Sequence, residues 1–348
     1  MKKHIGDIIG LVLLAFVAAC RFITPVADFY AERCYPIISA VLSWPASLVP
    51  FSLEELTVVG FFIAFIAVIV RAIRRRKKFL WWLGRTGRVV LWLLVWFYLG
   101  WGNNYFRTPL YARLGVKPAQ FEQETFDRFL NEYTDMLYDC VSRPQTLETQ
   151  VLEQRIKNFY AQDIAACGYT PLRSWQHVKK PLINPLYSAV SILGWLGPFF
   201  CETQVNLDVP GLQYPSTLAH EMSHLCGVTN EGEANYWAYA FCRQSEDPSL
   251  RYSGCLAIFP YVVQNVRALL PPNQSAAWEY DIPQQVWDDS TALNQFWLEK
   301  RVPFIEKAQR RIMDLFLKSN GISDGARSYQ GVVGIIITMD ERGNHPAQ

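Results

Sequence analysis

Residues 215–235 read Pro215-Ser216-Thr217-Leu218-Ala219-His220-Glu221-Met222-Ser223-His224-Leu225-Cys226-Gly227-Val228-Thr229-Asn230-Glu231-Gly232-Glu233-Ala234-Asn235. His220 and His224 are four residues apart, the spacing that puts two side chains on one face of an α-helix. Both imidazoles can then bind one metal ion. Glu221 follows the first histidine directly, close enough to reach a water activated by the ion rather than the ion itself. The chain holds only 5 histidines, and two fall in this pentapeptide. The flanks predict a helix: Pro215-Ser216 offers a start with Ser216 as N-cap, and Leu218, Ala219, Met222 and Leu225 supply apolar faces. Gly227 marks the stop, because glycine enters the left-handed conformation freely. Asn230, three residues before Glu233, forms a capping-box pattern and predicts a second helix. A sharp turn between the two can fold the start of the second onto the histidine face of the first.

Residues 220–235 resemble zincin metallopeptidases of the glutamate-ligand kind. In those families a Glu-x-x-Ala-Asp/Asn block supplies the third ligand and a residue that orients a ligand histidine. The block here is Glu231-Gly232-Glu233-Ala234-Asn235. The resemblance implies zinc as cofactor, His220, His224 and Glu231 as its ligands, Asn235 as the orienting group, and a peptide or protein as substrate. The whole layout also resembles a bacterial family of uncharacterised membrane proteins, with three spans, then an outside domain carrying H-E-x-x-H-x-x-G and Glu-x-Glu-Ala-Asn. The sequence departs from better-known peptidases in spacing, since Glu231 follows His224 by seven residues where a longer insertion is usual. Zincins with a histidine third ligand close a similarly short loop at a glycine, a role Gly227 can fill. Glu233 is the alternative third ligand. It suits the capping position, whereas Glu231, at the first helical position, is free to point at the metal.

The implied chemistry is hydrolysis, with Glu221 as general base. An oxyanion would need a second stabiliser. His177, Tyr214, Tyr252 and Tyr329 are candidates, with Tyr329 foremost because Ser328-Tyr329-Gln330-Gly331 is the most site-like context. Upstream, Val205, Leu207 and Val209 alternate with Asn206 and Asp208. This predicts a strand able to pair an extended peptide. Helices are expected over 118–141, 146–166, 251–270 and 292–318, the last kinked or split by Pro303. Residues 167–200 read as irregular, and 332–339 as a short apolar strand or helix.

The N-terminal third has a different character. Apolar stretches centre on Ile8–Cys20, Tyr35–Phe51, Leu56–Val70 and Val89–Gly102. Three predict membrane spans, at about 6–25, 54–72 and 86–103. The uncharged stretch 35–51, broken by Pro36, Pro45 and Pro50, predicts an interfacial or re-entrant segment. Lys2 and Lys3 precede the first span, and eight Lys or Arg lie between Arg71 and Arg88. The positive-inside rule then places the N-terminus and this loop in the cytoplasm and the later domain outside. Val17-Ala18-Ala19-Cys20 also matches a lipoprotein signal loosely.

Composition agrees with this division. Of the 348 residues 51% are hydrophobic, which excludes disordered and collagen-like classes. The net charge of +2 hides 12 Lys and Arg against 5 Asp and Glu in residues 1–103, and 21 against 26 beyond. A basic anchor with an acidic domain argues against a nucleic-acid partner. Eight cysteines without a CxxC give no disulfide framework or Cys-based zinc site. The expected architecture is a mostly α anchor of three transmembrane helices (1–104), then a mainly α, α+β zincin-like domain (105–348). The expected function is a membrane-anchored zinc metallopeptidase, with the lipid bilayer and a peptide or protein as partners. The alternative is a non-enzymatic binding or sensing protein on the same fold. The intact Glu221 favours the enzyme, since a binding module needs no general base.

Overall fold

The computed structural model describes residues 5–76, 79–120, 122–141, 147–320 and 331–344. It is mostly helical, with one small sheet. The chain divides into two compact units. The first comprises Met1–Thr108, Arg173–Leu182 and Leu196–Gln204, and the second comprises the remaining segments.

The first unit contains α1 (Ile5–Phe22), α2 (Thr24–Phe29), α3 (Tyr35–Ser47), α4 (Leu53–Arg74) and α5 (Phe79–Gly100). Among the described residues, α1 and α4 are the helices long and apolar enough to cross a membrane. The third expected span falls on α5, which carries Arg85 and Arg88 in its first half. Arg88 pairs with Asp7 of α1 at 2.6 Å. The Pro-broken stretch is the helix α3, with Pro45 inside its last turn. Cys20 is buried within α1, and all eight cysteines are free thiols. The start of α4 is over-determined locally. Ser52 caps it by accepting from the Glu55 N–H, and Glu54 and Glu55 occupy the first turn while Arg71 and Arg74 occupy the last. Glu55 at the start and the two arginines at the end complement the helix dipole.

The second unit contains α6 (Leu110–Arg113), α7 (Gln123–Cys140), α8 (Thr149–Ala166), α9 (Asn184–Ala189), α10 (Tyr214–Leu225), α11 (Glu231–Arg243), α12 (Pro248–Leu269), α13 (Pro272–Asp281), α14 (Gln284–Lys300), α15 (Pro303–Ser319) and α16 (Val332–Asn344). Its core is built where α7 offers Phe126, Phe129, Tyr133 and Leu137 at helical spacing to Tyr252, Phe259 and Val262 of α12 and Val333 and Ile336 of α16. Pro303 splits the expected long helix into α14 and α15. The expected strand or helix at 332–339 is the start of α16.

Three short strands order as β1 (Val178–Lys179), β3 (Glu202–Val205) and β2 (Gly194–Gly197). β1 and β3 run parallel, with Val178 opposite Thr203 and Lys179 opposite Gln204. The strand expected at 205–209 therefore ends at Val205, and the Val209 N–H turns back to the Asn206 carbonyl. β3 is the middle strand. Both of its sides are paired, so it has no free edge to offer a peptide. Ser216 does not cap α10 either. That helix starts two residues earlier, with Gln213 as cap and Pro215 in its first turn.

Candidate metal centre

Two helices and the turn between them build the site. The interior of α10 is pinned by α8, where the Tyr160 hydroxyl donates to the Ala219 carbonyl at 2.7 Å. Its start is held by α14, where the Trp297 indole N–H donates to Gln213 at 2.8 Å. Gly227, with φ +92°, ends the helix in the left-handed region. Asn230 then caps α11 by accepting from the Glu233 N–H. This local chemistry returns the first residue of α11 to the histidine face of α10.

The result brings His220, His224 and Glu231 together. Their ligand atoms all lie within 4.8 Å of one another. His220 Nε2 is 3.1 Å from Glu231 Oε2 and 3.2 Å from His224 Nε2. His224 Nε2 is 3.6 Å from the same carboxylate oxygen. The far sides of the rings are occupied as well. His224 Nδ1 lies 2.8 Å from the Val228 carbonyl, and His220 Nδ1 lies 2.8 Å from Asn235 Oδ1. Both partners are acceptors, so each Nδ1 carries the proton and each neutral Nε2 presents a lone pair. Two lone pairs and a carboxylate then converge, an arrangement that repels itself unless a cation sits among them. Two imidazoles and one carboxylate are a zinc donor set that leaves a fourth position open.

The ionisation of His224 and Glu231 is coupled through this contact. Burial would lower the His224 pKa, but the Glu231 charge and hydrogen bond outweigh it and raise it to about 9. Burial would raise that of Glu231, yet the two histidines hold it well below the ordinary carboxylate range.

Glu221 is buried beside this cluster, and burial raises its pKa above the ordinary value. No hydrogen bond ties its carboxylate to another described side chain. It packs directly against the backbone of Gly194 in β2. A Cβ there would fall 2.3 Å from Glu221 Cγ and 2.6 Å from Oε1. The approach to Gly194 is fixed by Asn206, whose N–H donates to the Leu193 carbonyl and whose Nδ2 donates to the Ile192 carbonyl, each at 2.8 Å.

Glu233 is engaged elsewhere, accepting from the Tyr169 hydroxyl. The oxyanion candidates are dispersed. Tyr214 pairs with Thr149 at 3.2 Å, Tyr252 donates to Asp289 at 2.6 Å, His177 belongs to the first unit, and Tyr329 lies outside the described residues. Three neighbours of the site carry no motif of their own in the sequence. The Val228 carbonyl follows from the Gly227 turn, but Gly194 lies in a stretch with no periodic pattern. A third is Tyr261 of α12, whose hydroxyl lies beside Asn235, with burial and the Glu231 charge raising its pKa.

No curated protein and no solved structure matches the chain. A family model described as "Protein of unknown function (DUF3810)" matches residues 30–337, a span that includes the helix pair and its three converging side chains. The chain therefore belongs to the DUF3810 family.

Proposed function

We propose that the protein is a membrane-anchored, zinc-dependent metallopeptidase that hydrolyses peptide bonds of envelope proteins or peptides. In this reading three helices, at about 6–25, 54–72 and 86–103, anchor the chain with its N-terminus in the cytoplasm, and the zincin-like domain faces outside. The observation that carries the reading is the convergence of His220 Nε2, His224 Nε2 and Glu231 Oε2 beside an untied, buried Glu221 carboxylate.

His220, His224 and Glu231 would hold the metal, and Asn235 and the Val228 carbonyl fix the ring orientations that aim both Nε2 atoms inward. A zinc ion held there supplies Lewis-acid polarisation of water and of the scissile carbonyl. Glu221 takes a proton from the attacking water and returns it to the leaving amine. Gly194 keeps a strand backbone against Glu221, which limits the water around the base and fixes its rotamer.

The test compares full-length wild type with Glu221→Gln in the native membrane, reading newly formed protein N-termini by mass spectrometry. Wild type generates termini that the variant does not, while both hold the metal. Identical sets of termini would remove the peptidase reading.

A further inference from the structure

The helix α15 is amphipathic in the wrong sense for a core element. Its inward face carries Glu306, which is buried and paired with Arg301 and Arg310 at 3.4 and 2.5 Å, together with Leu317. Three large apolar side chains point out: Phe304 is 85% exposed, Ile312 69% and Leu315 62%. At 100° per residue these three share one face, and Lys307, Arg311 and Lys318 line one edge of it, where Asp314 pairs with Lys318 at 2.7 Å. The Val302 N–H donates to the Ala189 carbonyl at 2.7 Å, which sets the start of α15 beside α9, where Leu186 is also exposed.

Contiguous exposed apolar side chains mark an interaction surface. A protein partner would explain the apolar face alone. A bilayer explains the face and its basic edge together, because acyl chains take Phe304, Ile312 and Leu315 while headgroup phosphates take Lys307 and Arg311. The same chain carries two helices able to cross a membrane. Tethering to a bilayer makes even a weak interfacial contact effective, since the second contact is intramolecular.

We propose that α15 is an interfacial helix, which lays the Phe304–Ile312–Leu315 face into the acyl–headgroup boundary of a phospholipid bilayer, with Lys307 and Arg311 on anionic headgroups. The inference rests on the membrane-anchored reading, and the experiment separates the two.

The full chain, with the half-buried Cys34 replaced by serine and its other cysteines buried, is reconstituted into phosphatidylethanolamine–phosphatidylglycerol vesicles. A nitroxide label is placed at Ile312→Cys or, in a second sample, at Phe62→Cys of α4. Power saturation compares access of oxygen, which concentrates in lipid, with that of a water-soluble nickel chelate. The proposal expects oxygen to be favoured at both sites. Preference for the nickel chelate at 312 means an aqueous face, and shielding from both agents means a protein cover. Either overturns the proposal, and the anchor reading stands as long as Phe62→Cys still favours oxygen. Preference for the chelate at both positions removes the anchor reading as well. Leu315→Cys repeats the measurement should Ile312→Cys misfold. Adding Lys307→Glu and Arg311→Glu should reduce the oxygen preference at 312, and an unchanged ratio would overturn the assignment of headgroups to the basic edge.

Discussion

Two clusters of ionisable side chains, one in each unit, are arranged on opposite principles. At the head of α4, Glu202 accepts from the Ser52 hydroxyl at 2.6 Å and the Glu54 N–H at 2.9 Å. Glu54 accepts from the Phe199 N–H at 3.0 Å, and Glu55 from the Leu182 N–H at 2.5 Å. Lys179, 3.9 Å from Glu202, donates to the Ala46 and Val49 carbonyls at the end of α3. Each carboxyl and the lysine amine there meets a backbone donor or acceptor. At His220, His224 and Glu231 the acceptors face one another and the donors lie outside. The first pattern fastens chain segments together. The second is the arrangement that the proposed metal centre requires. Burial of charge by itself therefore says little about function, and the direction of the lone pairs says more.

The largest expected difference between the clusters is catalytic. Glu221→Gln should lower hydrolysis by about 10²–10⁴-fold with metal content unchanged, as read by turnover of a peptide released in wild-type membranes. Undiminished turnover would show that the site does not work through this base.

Removing a charged group should next distinguish scaffold from site. Glu202→Ala strands Lys179 and the α4 cap, and should cost about 3–5 kcal/mol of stability in denaturant unfolding while leaving metal content intact. His220→Ala should do the reverse, losing the metal with little effect on the metal-free fold. Metal loss in both variants would dissolve the contrast.

Two smaller effects probe the surroundings of the triad. Asn235→Ala releases the His220 ring and should weaken metal affinity by about 10–100-fold in a chelator competition. Gly194→Ala forces a methyl into the Glu221 carboxylate, and overpacking of this kind costs about 1–3 kcal/mol. Its signature is reduced turnover at full metal occupancy. A variant as active as wild type would mean that β2 does not position the base.

The smallest effect is one of pH. In the metal-free chain Glu231 raises the His224 pKa from 6.5 to about 9. A raised folded-state pKa gives stability that is complete below the unfolded value and is lost as pH rises through the folded one. The metal-free protein should thus weaken between about pH 6.5 and 9. Glu231→Gln should flatten this slope, as followed by thermal unfolding.

The two clusters also differ in how far sequence revealed them. The pair α10–α11 was legible because its determinants are local. Histidine spacing, the Gly227 stop and the Asn230 cap all act within 16 residues of one another, and each has a defined backbone consequence. The helix cap at Asn230 and the division at Pro303 are equally local. The cluster at the head of α4 was not legible, since it joins Ser52 to Glu202 and Gln204 across 150 or more residues, and no short-range pattern encodes such pairings. Gly194 was missed for the same reason, because its meaning depends on Glu221 arriving from another element. Alternation at 205–209 misled because Asn206 and Asp208 serve a turn. Asn206 accepts from the Asp208 N–H at 2.9 Å, and Asp208 takes the Ser188 hydroxyl at 2.7 Å.

The convergence at His220, His224 and Glu231 is expected to be a metal centre. Its most direct test is the zinc content of the purified full-length chain, measured by mass spectrometry alongside His224→Ala. About one zinc per wild-type chain and none in the variant is expected. A folded wild-type chain that neither holds zinc nor takes it up on titration would contradict it.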